Sequence, residues 1–251
     1  MNTFVRSMQA WFSKSVASNF HTSDYQLALP GIHVLSVSDR KTLKRFHREV
    51  LSKCFHKRDL DSAGRLVANV KYENYKVFLA LERDEILGGI VVQHSWSMGK
   101  DAMLIAWVAV SERHRGKDVG TLLVNEAIYY AKSNGAEFLL GEVENPEEFE
   151  QESPAFGNPV KRVKFYSRFD CQYLSVPYVV LMRNGENEFG MMLTLFPLSE
   201  EQVTATELVS PTFALFVEEF VGEDGTEASE RLIEASKGPV RMVSYKKLFS
   251  L

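Results

Sequence analysis

Three short apolar runs separated by polar turns constrain the fold more than any other feature of this sequence. Residues 77–81, 86–92 and 103–110 are rich in aliphatic and β-branched side chains, and the polar residues 82–85 and 97–101 lie between them. Such runs predict strands. Connections of this length are too short for a crossover, so each strand must be antiparallel to the next. The segment therefore predicts a three-stranded antiparallel meander.

The third strand leads through a glycine-bearing turn into a helix. The helix is predicted from the spacing of apolar residues up to residue 131, and the Asn134–Gly135 pair is typical of a helix end. Residues 138–143 then predict a buried strand. Because a strand, a crossover helix and a strand form a right-handed unit, we expect the two strands to be parallel neighbours.

The turn itself predicts an anion site. The first N–H groups of a helix have no partner within it and lie at the positive end of its dipole. Gly116 and Gly120 would let the backbone approach a ligand closely, and Arg115 and Lys117 add positive charge. A pyrophosphate would fit such a turn, although neither the GxxxxGK[ST] nor the GxGxxG loop is present. The alternative is a capped connection with a solvated basic tip.

The remaining patterns divide the chain into three predicted segments. Residues 1–29 predict an N-terminal amphipathic helix, or leader, that packs on its own domain, on a second subunit or on a membrane surface. Residues 30–198 predict an α/β domain that ends in a β-hairpin, with strands at 173–182 and 189–196 joined by an Asn-Gly turn. Residues 199–251 predict a helical C-terminal extension. The domain's other predicted elements are a strand at 32–37 and helices at 39–57, 61–71 and 160–169.

The turn also carries a family signature. The run Arg115-Gly116-Lys117-Asp118-Val119-Gly120 resembles the [Q/R]xxGx[G/A] motif of the GNAT superfamily of acyl-CoA-dependent N-acyltransferases, with an aspartate where the first glycine is expected. The predicted order of elements from about residue 31 to residue 196 is similar to the order in that family. The resemblance implies an α/β (α+β) fold. Its sheet would be mixed and mostly antiparallel, with about seven strands, flanking helices and splayed central parallel strands.

The resemblance also implies a co-substrate, acetyl-CoA or another acyl-CoA, and the residues that bind it. The phosphates would lie on the turn and the pantetheine arm along the end of the preceding strand. The binding residues so implied are Val108, Val110, Arg115, Gly116, Lys117, Asp118, Val119, Gly120 and Thr121.

A second motif supplies a candidate acid. The run Phe165-Tyr166-Ser167-Arg168-Phe169-Asp170-Cys171 resembles the FYxxxGF segment of the same family, with Asp-Cys in place of Gly-Phe. The resemblance implies that Tyr166 protonates the departing coenzyme sulfur. A phenol with a pKa of about 10 is protonated at neutral pH and can give up that proton. The alternative is a core tyrosine with a satisfied hydroxyl.

A candidate base comes from the strand at 138–143. Acyl transfer to an amine needs a group that takes the proton of the ammonium, and a carboxylate is the usual one. Glu142 and Glu144 follow each other at a spacing of two, which places both on one face of the strand. They begin a segment, 142–152, with six glutamates and no basic residue. If this segment borders the acceptor cleft, it would attract a cationic acceptor such as a polyamine or a lysine side chain.

Composition excludes several other classes of function. The 29 basic and 33 acidic residues give a formal charge of −4, which argues against a nucleic-acid partner. Two distant cysteines support neither a metal site nor a disulfide framework, so we expect no metal and a reducing, cytoplasmic location. No apolar run is long enough to span a membrane.

The predicted function is an N-acetyltransferase that moves an acyl group from acetyl-CoA, or another acyl-CoA, directly to a primary amine of a small molecule or protein. One alternative is a non-catalytic acyl-CoA-binding regulatory module with the same fold. Another is an autoinducer-type acyl synthase. The C-terminal extension could cover the acceptor site or form the surface of a homodimer.

Overall fold

The computed structural model describes residues 29–148, 158–181, 187–222 and 225–249. The chain divides into two units, Met1–Pro30 and Gly31–Leu251, and all the described strands and helices belong to the second. The predicted leader at 1–29 falls almost entirely outside the described residues. The strands are β1 Ile32–Ser36, β2 Tyr75–Glu82, β3 Glu85–Ser95, β4 Gly99–Val110, β5 Phe138–Glu144, β6 Gln172–Leu174, β7 Val180–Leu181, β8 Asn187–Glu188, β9 Met191–Phe196, β10 Glu207–Leu208 and β11 Val240–Ser244.

The helices alternate with these strands. The described α-helices are α1 Arg40–Phe46, α2 Ser52–Cys54, α3 Ala63–Lys71, α4 Val119–Ser133, α5 Pro159–Tyr166, α6 Glu200–Thr204, α7 Pro211–Val221, α8 Glu227–Ser236 and α9 Tyr245–Leu248. A π-helical segment, His47–Leu51, joins α1 to α2. Side-chain caps begin several of them, as their sequences predict: Asp39 accepts a hydrogen bond from the Thr42 N–H at 2.9 Å.

Nine of the described strands form one sheet, in the order β1-β2-β3-β4-β5-β9-β6-β11-β10. The predicted meander is confirmed, because β2, β3 and β4 pair antiparallel in sequence order. The predicted parallel pair is confirmed as β4 and β5. The fold class is thus as predicted, a mixed and mostly antiparallel sheet with flanking helices, although the sheet has more strands than the seven expected.

The two parallel strands pair over only part of their length. Their register runs from Ala102 opposite Phe138 to Ile105 opposite Gly141 and then stops, although β4 continues to Val110 and β5 to Glu144. A β-bulge begins there, since Val92 of β3 pairs with Ile105 and Val91 pairs with Trp107. The extra residue bends β4 away from β5 and opens a gap between their carboxyl ends.

Two helical layers cover the sheet. On one face, α4 and α5 pack on side chains such as Met103, Ile105 and Leu139. On the other face, α1–α3 cover the half formed by β2, β3 and the end of β4, and α7 and α8 cover Ala102, Leu104 and their neighbours. Side chains alternate between the two faces, as expected for strands.

The predicted hairpin at 173–196 is wrong in its first strand. β6 ends at Leu174, and pairing resumes only at Val180, which lies opposite Glu188. Pro177 lies in the interruption and cannot donate a backbone hydrogen bond to a neighbouring strand. The Tyr178 N–H instead bonds to the Val176 carbonyl at 2.8 Å, which makes a tight local turn. The predicted Asn-Gly turn lies outside the described residues.

The C-terminal segment is not purely helical, which corrects the prediction for 199–251. It contains α6 to α9 as well as the short strands β10 and β11. β11 pairs with β6, with Met242 opposite Leu174, and so extends the main sheet. Its five residues give too short an alternation to stand out between helices. As a division of the chain into domains, the boundaries 1–29, 30–198 and 199–251 stay a prediction.

We predict that Gly89→Ala destabilises the protein by about 1–3 kcal/mol through overpacking. A Cβ at Gly89 would lie 2.6 Å from the Phe46 ring and 2.6 Å from Leu79 Cδ2, and both neighbours are fully buried. The matched control is Gly64→Ala in α3, where the nearest atom, Ser62 Oγ, would be 3.9 Å away. We expect that control to be neutral or more stable by up to about 1 kcal/mol. Urea unfolding compares the two variants, and equal midpoints would contradict the packing argument.

Candidate active site

The turn before α4 leaves its backbone N–H groups without side-chain caps. Asp118 occupies the N-cap position with φ 56°, and no side chain of the described residues caps the helix start. The first backbone bond of the helix runs from the Leu122 N–H to the Asp118 carbonyl at 3.1 Å. The amides of Val119, Gly120 and Thr121 therefore lack helical partners, and these three residues line a cavity. Such a helix start attracts an anion.

The two aspartates that replace family glycines both adopt left-handed backbone conformations. Asp118 has φ 56° and Asp170 has φ 52°. Aspartate is among the few residues with a side chain that tolerate this region. Each carboxylate is held by a cation at 3.0 Å, Arg168 for Asp118 and Lys246 for Asp170. Both turns thus keep the backbone that a glycine would permit.

Gly116 and Gly120 serve different purposes in this turn. Gly116 has φ 74°, which glycine adopts without strain. Gly120 is helical, and a Cβ there would lie 3.2 Å from the Phe165 ring, so its small size lets α4 and α5 pack closely. Gly120 therefore makes room for a neighbouring aromatic ring as well as lining the cavity.

Positive charge surrounds the opening of α4. Arg115, Lys161, Arg162 and Arg168 line the same cavity, whereas Lys117 does not line it. The Arg115 guanidinium folds back toward the end of β4, with Nε 3.3 Å from the Val110 carbonyl and Nη2 3.8 Å from Cys54 Sγ. The basic residues from α5 and the segment after it had no predicted role in this site.

The cavity has a volume of about 1130 Å³ and extends from the turn into the gap between β4 and β5. Ser111 donates its N–H to Leu87 at 2.9 Å, and Ala109 lies opposite Gly89 in the same ladder. In an antiparallel ladder, the residues between such pairs direct their N–H and C=O groups to the other side. The backbone groups of Val108 and Val110 therefore face the gap, where β5 no longer pairs with them. The Val110 carbonyl accepts hydrogen bonds from Arg115 Nε and Cys54 Sγ instead.

Tyr166 lies at the end of α5 and lines this cavity. It is 7% exposed, and its ring packs edge-on against Phe165 and Phe196. Burial raises the pKa of Tyr166 to about 12, although the nearby Arg162 charge opposes the shift. The phenol is therefore fully protonated at neutral pH.

Glu142 and Glu144 both line the cavity, but they have different partners. Glu144 forms an ion pair with Arg162, with 2.6 Å between Oε2 and Nη1. Glu142 accepts a hydrogen bond from the Tyr178 hydroxyl. Burial, followed by the nearby Glu142 charge, raises the pKa of Tyr178 well above its usual value, so this hydroxyl acts as a donor.

Several cavity residues were not predicted from the sequence. The cavity is also lined by Tyr75 of β2, Gln93 of β3, Val180 of β7 and Phe220 of α7. Tyr178, from the interrupted hairpin region, lies behind this lining and contacts Glu142. Trp107 of β4 lines it too. These positions carry no motif, and only the tertiary fold brings them together.

The other predictions concern the cysteines, a metal site, a membrane span and the acidic loop. Cys171 is buried, burial raises its pKa well above the usual value, and both cysteines are free thiols. Within the described ranges, no set of three or more His, Cys, Asp or Glu side chains is arranged to hold a metal ion. None of the helices in the described part of the chain is long and apolar enough to cross a membrane. Residues 149–157 lie outside the described residues, and they include the rest of the predicted acidic segment, 149–152.

Comparison with known proteins gives a family and a fold. Residues 42–150 match the model of the acetyltransferase (GNAT) family. No curated protein matches the chain. A candidate GNAT acetyltransferase from Bacteroides thetaiotaomicron aligns with 78% of this chain and 99% of its own, at 14% identity and a TM-score of 0.55, which supports the fold.

Two further solved structures are similar at lower scores. A candidate GNAT acetyltransferase from Desulfovibrio desulfuricans covers 67% of this chain and 99% of its own, at 15% identity and a TM-score of 0.48. The ribosomal-protein-S18-alanine N-acetyltransferase from Escherichia coli covers 67% of this chain and 94% of its own, at 15% identity and a TM-score of 0.46. The resemblance carried by the signature turn is confirmed by the family match, in which residues 42–150 of this chain match the GNAT acetyltransferase family.

Proposed function

We propose that this protein transfers an acetyl group from acetyl-CoA, or another acyl group from its CoA thioester, to a primary amine. One observation carries the proposal: the uncapped amides that open α4 and the Tyr166 side chain line a single cavity. That cavity enters the gap between β4 and β5, where unpaired backbone groups are exposed to a ligand.

The residues present fit an acyl-CoA. The amides of residues 119–121 are oriented for a pyrophosphate, and Arg115, Lys161 and Arg168 add positive charge beside them. The backbone groups of Val108 and the Val110 N–H can pair with a pantetheine arm as an added strand would, whereas the Val110 carbonyl already accepts a hydrogen bond from Arg115. When bound, the coenzyme supplies an activated thioester, and the protein contributes alignment and proton transfer.

Glu142 is the better placed of the two candidate bases. The amine arrives as an ammonium and must lose a proton before its nitrogen can attack. Glu144 is engaged with the Arg162 guanidinium. Glu142 directly follows Gly141, the last residue of β5 that pairs with β4, so it lies where the gap begins. We therefore assign proton acceptance to Glu142, directly or through one water. Tyr166 gives its proton to the coenzyme sulfur as the carbon–sulfur bond breaks, which leaves an amide and a free thiol.

The free thiol provides the primary test. Purified protein is incubated with acetyl-CoA and a panel of primary amines, and thiol release is followed with a thiol-reactive dye. Amine-dependent release supports the transferase. Binding of acetyl-CoA without release for any amine would favour the regulatory acyl-CoA-binding module. Because Asp118 and Asp170 keep the left-handed turns, their presence does not itself favour that module.

We predict that Tyr166→Phe lowers kcat by about 10²–10⁴-fold and changes the Kd for acetyl-CoA less than threefold. The hydroxyl is lost but the ring still packs on Phe196, so the fold is kept. Since the pKa of Tyr166 is about 12, wild-type activity should not decline through loss of this proton until the pH approaches that value. The control is Tyr129→Phe, which removes the hydroxyl of an exposed tyrosine on α4. An unchanged kcat for Tyr166→Phe would reject the acid role.

We predict that Asp118→Asn tightens acetyl-CoA binding by about three- to tenfold, which corresponds to roughly 1 kcal/mol for one removed negative charge. Asparagine also tolerates the left-handed conformation at this position, so the turn should persist. The change also releases Arg168 from its ion pair and leaves it available to a phosphate. Asp101→Asn, an exposed aspartate of β4, is the control. Calorimetric titration with acetyl-CoA measures both variants, and weaker binding by Asp118→Asn would show that the carboxylate supports the site.

A further inference from the structure

One carboxylate fixes the carboxyl end of α7 to the end of β3 and the turn between β3 and β4. Glu219 accepts hydrogen bonds from Ser95 Oγ at 2.6 Å, from the Ser97 N–H at 3.0 Å, and also from the Ser97 hydroxyl and the Trp96 N–H. Burial acts to raise the pKa of Glu219, but these donors outweigh it and lower the pKa overall. The carboxylate is therefore charged at neutral pH and holds the helix end in place.

The next residue, Phe220, projects into the cavity from this fixed point. Its ring stacks on Tyr178, with 6.0 Å between ring centroids and 27° between the ring planes. Tyr178 in turn donates its hydroxyl hydrogen bond to Glu142, the proposed base. Phe220 thus lies in a defined position beside the reacting end of the cavity, although it lies outside the residues that match the family.

A second pair of aromatic rings lines the cavity from the side of α1–α3. The Trp107 and Tyr75 rings meet edge-on, with 5.7 Å between centroids. Their polar atoms are already used by the protein, because Trp107 Nε1 donates to the Asp59 carbonyl at 3.1 Å and the Tyr75 hydroxyl donates to Asp61 Oδ2 at 3.0 Å. These side chains therefore offer ring surface to a ligand, with no free donor.

Cations lie beside three of the four acidic residues that line the cavity in the described part of the chain. Arg168 pairs with Asp118 at 3.0 Å and Arg162 with Glu144 at 2.6 Å, and Arg58 lies 3.3 Å from Asp59 Oδ1, a buried atom that accepts no hydrogen bond from the described residues. The fourth residue, Glu142, accepts a hydrogen bond from the Tyr178 hydroxyl and is the proposed base. The neighbouring cations weaken the attraction of the first three carboxylates for a second or third ammonium of a polyamine.

We infer that the acceptor is a monoamine with an aromatic or similarly bulky apolar body, held between Phe220 and the Trp107–Tyr75 pair. This inference rests on the proposed function and names the class of acceptor. Covering an aryl group by ring surface removes apolar area from water and stabilises the complex in proportion to the area buried. A polyamine in the same slot would lose hydration at its further ammonium groups beside carboxylates whose charge a cation already partly balances.

The first experiment measures acceptor binding without turnover. Protein saturated with free CoA is titrated calorimetrically with 2-phenylethylamine, n-butylamine and spermidine. We expect 2-phenylethylamine to bind at least tenfold more tightly than spermidine and more tightly than n-butylamine. Spermidine binding as tightly as 2-phenylethylamine, or more so, would overturn the inference. Thiol release from acetyl-CoA is measured separately, so a protein that binds the aryl amine but releases no thiol would refute the proposed transferase and leave the acceptor slot supported.

The second experiment tests the position of the slot. Phe220→Ala should weaken 2-phenylethylamine binding by about tenfold, change spermidine binding less than twofold and leave acetyl-CoA affinity unchanged. Leu215→Ala removes a 53% exposed side chain from the same helix and serves as the control for helix stability. Equal losses for both amines, or no loss for the aryl amine, would overturn the assignment of Phe220.

Discussion

The divergence of β4 from β5 is the constraint on which the rest of the site depends. Pairing ends at Ile105 and Gly141, and the bulge beside Ile105 bends β4 away. Had the two strands stayed paired to their ends, their backbone groups would satisfy each other and the cavity would be closed. The bulge also keeps Leu104 and Trp107 on one face although they are three residues apart, since the extra residue shifts the alternation. One irregularity thus opens the cleft and directs Trp107 into it.

The turn before α4 shows that the conformation of a signature residue matters more than its identity. A family glycine is expected at position 118 because the chain there has a positive φ, and aspartate reaches the same region at φ 56°. The unfavourable charge is turned toward Arg168, so the amides of the helix start remain free of a side-chain cap. The same exchange recurs at Asp170, where Lys246 holds the carboxylate. The two aspartates therefore keep the backbone conformation of the motif glycines, and each adds a negative charge that a neighbouring cation balances.

Local patterns predicted the parts of the fold that depend on local physics. The β2–β4 meander, the strand–turn–helix at α4 and the approximate position of α5 follow from side-chain periodicity and turn residues within a few positions. The break after Leu174 and the strand β11 were missed because each depends on a long-range partner, β9 or β6. The acceptor side of the cavity was missed for the same reason. The sequence around Phe220 shows only a helix, because its position in the cavity depends on the contacts of Glu219 with Ser95 and Ser97.

The C-terminal segment shares one hydrophobic core with residues 42–150, which match the family model. Phe213 and Phe216 of α7 pack edge-on against Phe138 of β5, the strand that carries Glu142 and Glu144. The helix that supplies Phe220 therefore also packs on β5, the strand of the proposed base Glu142. The positions of Phe220 and Glu142 thus depend on the same packing. In the proposed function, residues 42–150 carry both the turn for the coenzyme and the Trp107–Tyr75 pair of the acceptor slot. Phe220 of α7 completes that slot from outside these residues, so it can change without disturbing the amides at the start of α4.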